Sequence, residues 1–284
     1  MKSLHITTLF VILLMNCSYL TTKSNSNKMN IDSLINQGNA YWGKRANPKS
    51  AKLAVLFYEK AFELNHANLN LAASLSEAYY FQANYLESDL SKRDTLYLKG
   101  AKSAKTGFEN STFYQYFIDT TEFESNKITL EAIKKAPIET IGVLFWWVNN
   151  QGRYLINKPV IERISSREAL EVTMLRVSTL DEDYYYGGPT RFFGMFYSRL
   201  PGVPLDRAKL NFDQSLLDNP NFFGTKVLRA RYYHTKLGNR ELFEEDLKTI
   251  IDSDPSLLPD AMPENLFEQE KAKELLNNVT ILFE

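Results

Sequence analysis

A small residue followed three positions later by an aromatic residue recurs five times along the chain. The five pairs are Gly38 and Tyr41, Ser76 and Tyr79, Gly142 and Phe145, Gly194 and Tyr197 (with Phe196 beside it), and Ala230 and Tyr233. After each pair comes a second segment in which apolar or small residues are spaced by four and then three positions, as on one face of a helix. A small residue on the first helix lets the second approach closely, and an aromatic from each fills the gap, as in tetratricopeptide repeats.

The second segments carry the residues that should face the first helices. They are Ala54, Tyr58 and Ala61; Ala104, Phe108 and Ser111; Leu170, Met174 and Val177; Ala208, Phe212 and Ser215; and Phe243, Leu247 and Ile250. The pattern predicts an all-α fold, an irregular tetratricopeptide-like helical-hairpin array (an α-solenoid or superhelix) of about five degenerate repeats. An unclassified all-α bundle is the alternative. Asn65, Asn219 and Asp254 stand at a common offset and predict helix ends. The segments 81–100 and 150–168 predict insertions, which could shape a cleft or cover it.

The first residues, "MKSLHITTLFVILLMNC", predict an export signal. Lys2 precedes an apolar stretch from Leu9 to Met15 that is too short to span a bilayer but suits a signal peptide over residues 1–16. Cys17 is the only cysteine, which excludes a disulfide within the chain. "LMNC" resembles the lipobox of bacterial lipoproteins, and this resemblance implies lipidation of Cys17. The alternative is an incidental cysteine beside an uncleaved leader.

Residues 17–30 read as the lipidated cysteine and a flexible tether, because "SYLTTKSNSNKMN" is polar and poor in apolar residues. Thirteen such residues extend to about 45 Å. The folded domain is then expected over residues 31–284. The sequence predicts a protein held at a membrane through its lipid anchor only.

The stretch "DYYYGGPTRFFGMFYSRLPG", residues 183–202, raises the question of a phosphate-binding glycine loop. It has no G-x-x-x-x-G-K-[ST] motif and no preceding strand. We predict instead a turn at residues 187–189, a cap at Thr190 and a first repeat helix from Arg191 to Arg199, ended by Pro201 and Gly202.

Chemistry-bearing motifs are scarce. The formal net charge of −1 gives no overall attraction to nucleic acid. His66 and His234 have no partner at ligand spacing, so neither a metal nor a cofactor is predicted. The acidic run at 181–183 could bind Ca²⁺ or act as an acid–base pair, but a helix end with side chains on free backbone amides is favoured. No nucleophile, base and orienting group occur together, so an enzyme is not predicted.

Two adjacent tryptophans stand in "LFWWVNNQGRY", residues 144–154. On a helix they point about 100° apart, so both cannot face one core. One can pack while the other lines a cavity or interface, and Asn149, Asn150 and Arg153 are near enough to supply polar groups. Core filling is the alternative for both.

From Trp146 onward the chain resembles the T component of TRAP transporter systems. The resemblance rests on "FWWVNNQG", on "LDEDYYYGGPTRFFGMFYSRLPGVPLDRAKLNFDQSLLDNPNFF", on "VLRARYYHTKLGNRELFEEDLKTIIDSDP" and on "ENLFEQEKAKELL". It covers about half of the chain. Thr190 departs from the family, which tends to have a histidine or similar polar residue there, and Asn16 departs from the usual residue before a lipobox cysteine.

This resemblance implies a non-catalytic, lipid-anchored protein on the periplasmic face of a bacterial membrane. Its implied partner is the extracytoplasmic solute-binding (P) subunit of a TRAP-type importer, with a homo-oligomer and a small apolar or amphipathic ligand as further expectations. The alternative is a tetratricopeptide scaffold for protein–protein interactions in envelope assembly.

The ligand or partner site is predicted from position, near the turn at 187–189. The candidate residues are Trp146, Trp147, Asn150, Tyr185, Tyr186, Arg191 and Phe192. Arg191 is expected to be available for an anionic head group. A closed, fully packed interior would favour the scaffold.

Overall fold

The computed structural model describes residues 29–124 and 127–284, and over these residues every regular element is a helix. The predicted signal peptide, Cys17 and residues 18–28 of the predicted tether lie outside the described residues. The α-helices are α1 (29–42), α2 (Pro48–Leu64), α3 (Leu69–Phe81), α4 (Leu90–Glu109), α5 (Thr112–Thr120), α6 (Ile128–Lys135), α7 (Ile141–Leu155), α8 (Val160–Ser165), α9 (Arg167–Leu180), α10 (Tyr184–Arg199), α11 (Leu205–Asp218), α12 (Gly224–Leu228), α13 (Thr235–Leu237), α14 (Arg240–Asp252), α15 (Met262–Asn277) and α16 (Val279–Phe283).

Shorter helical turns join some of these helices. Two are π-helical, Gln82–Leu86 after α3 and Arg229–His234 between α12 and α13, and three are 3₁₀ turns, Ile138–Thr140, Pro255–Leu257 and Pro259–Ala261. In the two described stretches, no helix combines the length and the apolar character needed to cross a lipid bilayer.

Several helices begin at a polar residue whose side chain caps the free backbone amides of the first turn. The Asn47 side chain accepts hydrogen bonds from the amides of residues 49 and 50, with Pro48 as the first helical residue. Asn68, Asp89 and Ser111 cap α3, α4 and α5 in the same way. The predicted helix ends are confirmed, because α2 and α11 end one residue before Asn65 and Asn219, and α14 ends two residues before Asp254.

The small and aromatic residues of the sequence pattern do pack against one another. Every side chain predicted on the second-helix faces is buried. A Cβ atom added at Gly38 would lie 2.5 Å from the Tyr58 ring, and one added at Gly194 would lie 2.8 Å from the Phe212 ring. Glycine therefore allows α1 to approach α2 and α10 to approach α11. The all-α prediction is confirmed, and the solenoid arrangement remains a prediction.

Neighbouring helices contact each other along most of the chain, from α2 with α3 to α10 with α11, and again from α14 to α15. One large apolar cluster extends from α2 to α11 and the π-helical turn after α12, with residues such as Phe108, Leu144, Met174 and Phe212 at its centre. A second, smaller cluster joins α12, α14 and α15, with Phe243 and neighbours at its centre. The cleft described below lies where the α3–α7–α10 part of the fold meets α12 and α15.

A buried ion-pair network fastens α14 to the π-helical turn Arg229–His234. Arg229 donates to both carboxylate oxygens of Asp246, at 2.8 and 2.6 Å, and His234 Nε2 lies 3.2 Å from the same carboxylate. Burial works to raise the pKa of Asp246, but the hydrogen bonds from Arg229 and His234 outweigh it and hold the pKa below its usual value.

An Asp246→Asn variant is expected to lose roughly 1–2 kcal/mol of unfolding free energy at pH 7, because Arg229 loses its main counter-charge while Asp213 still lies 3.1 Å away. The native pKa of Asp246 lies below the unfolded value, so its contribution is present above the unfolded pKa and is lost as the pH falls. Urea unfolding at pH 7 and pH 3 should therefore show a smaller difference between variant and wild type at pH 3. An equal difference at both pH values would contradict this role.

Candidate functional site

Aromatic side chains from α7 and α10 meet in the middle of the described fold. The Trp146 ring lies 4.8 Å from the Tyr185 ring, edge to face, and 5.0 Å from the Phe145 ring. Trp146, Tyr185, Arg191 and Phe192 all line one narrow cavity of about 40 Å³. Four of the seven predicted site residues are therefore brought together in one cleft.

The start of α10 has an unusual backbone. Tyr185, Tyr186 and Gly187 have φ angles of 52°, 59° and 66°, so three successive residues adopt the left-handed conformation. This conformation costs a residue with a side chain about 1–2 kcal/mol. Such strain persists only where the surroundings hold it, and it collects at functional sites. The predicted turn thus begins two residues before Gly187, and the regular helix follows it.

Side chains hold the carbonyl groups of these three residues. Arg191 donates to the Tyr186 and Tyr185 carbonyls, at 2.7 and 3.0 Å. Thr190 Oγ1 donates to the Gly187 carbonyl at 2.9 Å, so the prediction of Thr190 as a helix cap is wrong. The Arg191 guanidinium also stacks on the Phe222 ring at 4.2 Å. Arg191 therefore lines the cleft while its terminal nitrogens are engaged with the backbone, contrary to the availability predicted for it.

The other predicted site residues lie outside the cleft lining. Asn150 is completely buried and donates to the Ser76 carbonyl, the Ser76 hydroxyl and the Trp146 carbonyl, each at 3.0 Å. It ties α7 to α3. The Trp147 ring lies under the Lys105 ammonium, 5.9 Å away, and so faces α4. Tyr186 stacks on the Phe222 ring with centroids 5.3 Å apart, at the edge of the aromatic group.

The acidic run at 181–183 has the structural role predicted for it. Asp181 ends α9, and its side chain accepts a hydrogen bond from the Asp183 amide at 3.0 Å. The Asp183 side chain in turn accepts from Asn219, which ties the turn to the end of α11.

A group of charged residues beside Tyr185 was not found from the sequence. Arg45, in the loop after α1, donates to both carboxylate oxygens of Glu264 on α15, at 2.7 and 2.8 Å. Glu77 on α3 lies near this pair. Burial raises the pKa of Glu77 to about 8, the Glu264 carboxylate adds to the increase, and Arg45 and the Tyr185 hydroxyl act against it. Glu77 is therefore mainly a neutral carboxylic acid at pH 7.

Two further cavities adjoin the narrow one, a wider cavity of about 550 Å³ and a third of about 70 Å³. Arg153 and Glu268 are among four residues that line both the wide and the narrow cavities. Phe192 and Met195 line both the narrow and the third cavities. The narrow cavity therefore shares lining residues with each of the other two, and Ile156 lines both the wide and the third cavities.

The two insertions predicted from the sequence build the walls of these cavities. Residues 84–88, together with Arg93, Asp94 and Tyr97, line the wide cavity. Val160, Arg163 and Ile164 line the third cavity, and Ile156 lies between the two. Both segments, 81–100 and 150–168, thus contribute residues to the lining of the cavities.

Arginine side chains gather around Tyr232 at the junction of the wide and third cavities. The guanidinium carbons of Arg199 and Arg231 lie 5.2 and 5.6 Å from the centre of its ring. Burial lowers the pKa of Arg199. Tyr232 acts to raise this pKa, whereas the positive charges of Arg163, Arg231 and Arg153 lower it further. These cations are therefore close enough to repel one another.

Lys271 on α15 lies near two of the same arginines, Arg153 and Arg231. Burial lowers its pKa to about 8, with Arg153 and Arg231 contributing and Glu268 opposing. Its ammonium lies 3.3 Å from Glu268 and over the Tyr85 ring at 4.2 Å. The wide cavity therefore has both signs of charge on its lining: Arg93, Arg153, Arg231 and Lys271 beside Glu87, Asp94, Glu268, Glu270 and Glu274.

A protein-family model matches most of the chain. The model of the TRAP transporter T-component family matches residues 54–283, which include α3 to α15 and every residue of the cleft. No curated protein matches the chain. Members of this family are components of a transport system, and the family is not known as a family of enzymes. The chain is a member of the TRAP transporter T-component family, and this membership associates it with a TRAP transport system.

Proposed function

We propose that this protein is a lipid-anchored periplasmic adaptor of a TRAP-type importer, which engages the solute-binding subunit and holds a small apolar or amphipathic ligand in its cleft. The family match over residues 54–283 carries the transporter part of the proposal. The helices are expected to form a tetratricopeptide-like array, whose exposed faces would receive the partner. A homo-oligomer is a further expectation from the resemblance.

The adjoining cavities support a ligand-binding role. A site for a small molecule is usually a concave, largely preformed pocket with apolar walls and a few polar groups that orient the ligand. The cleft combines Trp146, Tyr185 and Phe192 with the guanidinium groups of Arg153 and Arg191. A scaffold without a ligand has no need of a cavity of about 550 Å³, and a fully packed interior was the feature that would have favoured it.

A direct titration tests the partnership. The full-length protein in detergent is titrated with the purified solute-binding subunit of a TRAP system from the same organism, and the heat of binding is measured. We expect saturable binding with a Kd on the order of micromolar or tighter. A periplasmic binding protein of an unrelated importer serves as the control. Absence of binding, or equal binding to the control, would contradict the proposed partnership.

The lipid anchor is tested separately with a Cys17→Ala variant. Acyl chains contribute about 0.8 kcal/mol per buried methylene, so an acylated Cys17 should keep the protein on membranes through washes at high salt. We expect the wild-type protein in the membrane fraction and the variant in the soluble periplasmic fraction, or uncleaved. A variant that is processed and retained like the wild type would exclude Cys17 as the anchor.

A further inference from the structure

One side of α2 exposes leucine and lysine side chains next to each other. The inner side of this helix, with Ala54, Tyr58 and Ala61, is buried against the rest of the fold. Six exposed residues on the other side form what we call the α2 outer face, Lys49, Lys52, Leu53, Leu56, Lys60 and Glu63. Leu53 and Leu56 are three positions apart and therefore adjacent on the helix surface.

The charges around the α2 outer face are mostly positive. In the hairpin formed by α1 and α2, Arg45 is paired with Glu264, and Glu59 is paired with Lys99 on the neighbouring α4. Among the described residues, the charged side chains of this hairpin that have no salt bridge are Lys44, Lys49, Lys52, Lys60, Asp32 and Glu63. The start of α4 and its outer side add Lys92, Lys102 and Asp89. Lysines without a carboxylate partner therefore outnumber the unpaired carboxylates on this side of the molecule.

Exposed leucines on α11 lie in a different electrostatic environment. Leu210 and Leu217 are 69% and 75% exposed, more than Leu56 at 41%. The charged residues of α11 are Asp206, Asp213 and Asp218 with Arg207 and Lys209. The α2 outer face is thus distinguished by the combination of leucine with unpaired lysine. A lysine stem can lie along an apolar surface while its ammonium reaches the level of lipid head groups.

The predicted tether leads to the same part of the fold. Residues 18–28 separate Cys17 from the start of α1. The α1 and α2 helices run antiparallel across the loop 43–47, with the Tyr41 ring stacked on the Phe57 ring at 5.5 Å, so α1 begins beside the end of α2. A polar chain of about a dozen residues has an average end-to-end distance of roughly 20 Å. An acylated Cys17 would therefore keep α2 within reach of the bilayer.

We propose that the α2 outer face docks on the surface of an anionic lipid bilayer, with Leu53 and Leu56 among the head groups and the lysines on the lipid phosphates. This inference rests on the proposed lipid anchor and adds a contact made by the folded domain itself. Each lysine near an anionic bilayer strengthens binding about fivefold, and salt weakens the effect. Docking would fix the orientation of the helical domain relative to the membrane.

A fluorophore that responds to its environment tests the docking when it is attached to a Leu56→Cys variant. Cys17 is the only natural cysteine, and acylation blocks its thiol, so the introduced thiol is the one that reacts in the full-length protein. The labelled protein is reconstituted into vesicles of phosphatidylglycerol and phosphatidylcholine in equal parts, or of phosphatidylcholine alone. We expect blue-shifted emission and quenching by brominated lipid in the anionic vesicles, both reversed by high salt. Leu217→Cys is the matched control and should show neither.

Lysine variants then test the electrostatic part. Replacing Lys49, Lys52 and Lys60 together by glutamine in the labelled protein should lower the ratio of docked to undocked domain by about tenfold or more. Glutamine at Lys209, Lys248 and Lys273 changes the net charge equally but on α11, α14 and α15, and should leave this ratio unchanged. Circular dichroism confirms that each variant is folded.

Vesicle flotation separates this inference from the proposed anchor. A protein that floats with the vesicles but shows no fluorescence change at Leu56→Cys would overturn docking and leave the anchor intact. Equal changes at Leu56→Cys and Leu217→Cys, or equal changes in both kinds of vesicle, would also overturn it. A response of Leu56→Cys to the solute-binding subunit and not to lipid would reassign the face to that partner. Failure to float with either kind of vesicle would count against both the anchor and the docking.

Discussion

A Phe212→Ala variant is expected to unfold with a free energy about 3–5 kcal/mol below that of the wild type. Phe212 is completely buried on α11, and its ring faces Gly194 on α10. Gly194→Ala alone should cost about 1–3 kcal/mol, because the new methyl group would lie 2.8 Å from the ring and neither helix can move freely.

The double variant gives the sharper result. Once the Phe212 ring is absent, Gly194→Ala should cost nothing or stabilise by up to about 1 kcal/mol, since alanine favours a helix over glycine. Urea unfolding of the wild type, both single variants and the double variant measures this coupling. Gly152→Ala is the control, because its methyl group would lie at an ordinary 3.4 Å from the Phe192 ring. Additive effects of the two substitutions would contradict the close packing of α10 on α11.

The stability of the wild-type protein should fall as the pH rises from about 5 to 8 because of Glu77. Its pKa is about 8 in the folded protein and near 4.3 in an unfolded chain. Between these values the folded state binds more protons than the unfolded state, so unfolding becomes easier as the pH increases. The shift in pKa corresponds to a free energy of unfolding that is about 2–4 kcal/mol lower at pH 8 than at pH 5.

A Glu77→Gln variant should lack this loss, because glutamine keeps the shape of the neutral acid and does not ionise. The groups that face Glu77 are Glu264, Arg45 and Tyr185, together with Tyr58 and Tyr184, and they remain unchanged in the variant. Chemical unfolding at pH 5, 6.5 and 8 measures the slope. Glu63→Gln on α2 is the control, since Glu63 is exposed. An unchanged slope in Glu77→Gln would mean that Glu77 ionises normally in the folded protein.

Much of the helix packing was predictable because its signal is local. A small residue and an aromatic three positions apart lie on one face of a helix, so Gly194 and Tyr197 can be recognised without a structure. The burial of Tyr58, Phe108 and Phe212 follows from the same period. Helix ends were predictable for a similar reason, because the apolar pattern stops at polar residues such as Asn65 and Asn219.

The candidate site was predictable only in part. The aromatic residues Trp146, Tyr185 and Phe192 stand out by composition, but the sequence does not show the direction of each side chain. Rotation by about 100° between neighbours places Trp146 in the cleft and Trp147 against α4. Tyr185 and Tyr186 adopt a left-handed backbone that large residues rarely take, so a local rule could not predict it.

The charged groups were missed because their partners are far apart in the chain. Arg45 and Glu264 are separated by 219 positions, and Glu77 comes from a third element. No spacing rule connects such residues. Arg153 was noticed from the sequence only for its position near the tryptophan pair, and its hydrogen bond to the Tyr80 hydroxyl joins residues 73 positions apart.

In-cell crosslinking of the intact protein, followed by mass spectrometry of the crosslinked peptides, tests the central claim most directly. The proposed function predicts crosslinks between the helical domain and the solute-binding subunit of a TRAP importer. Crosslinks only to envelope-assembly proteins, or only between copies of the same chain, would contradict it and favour the scaffold.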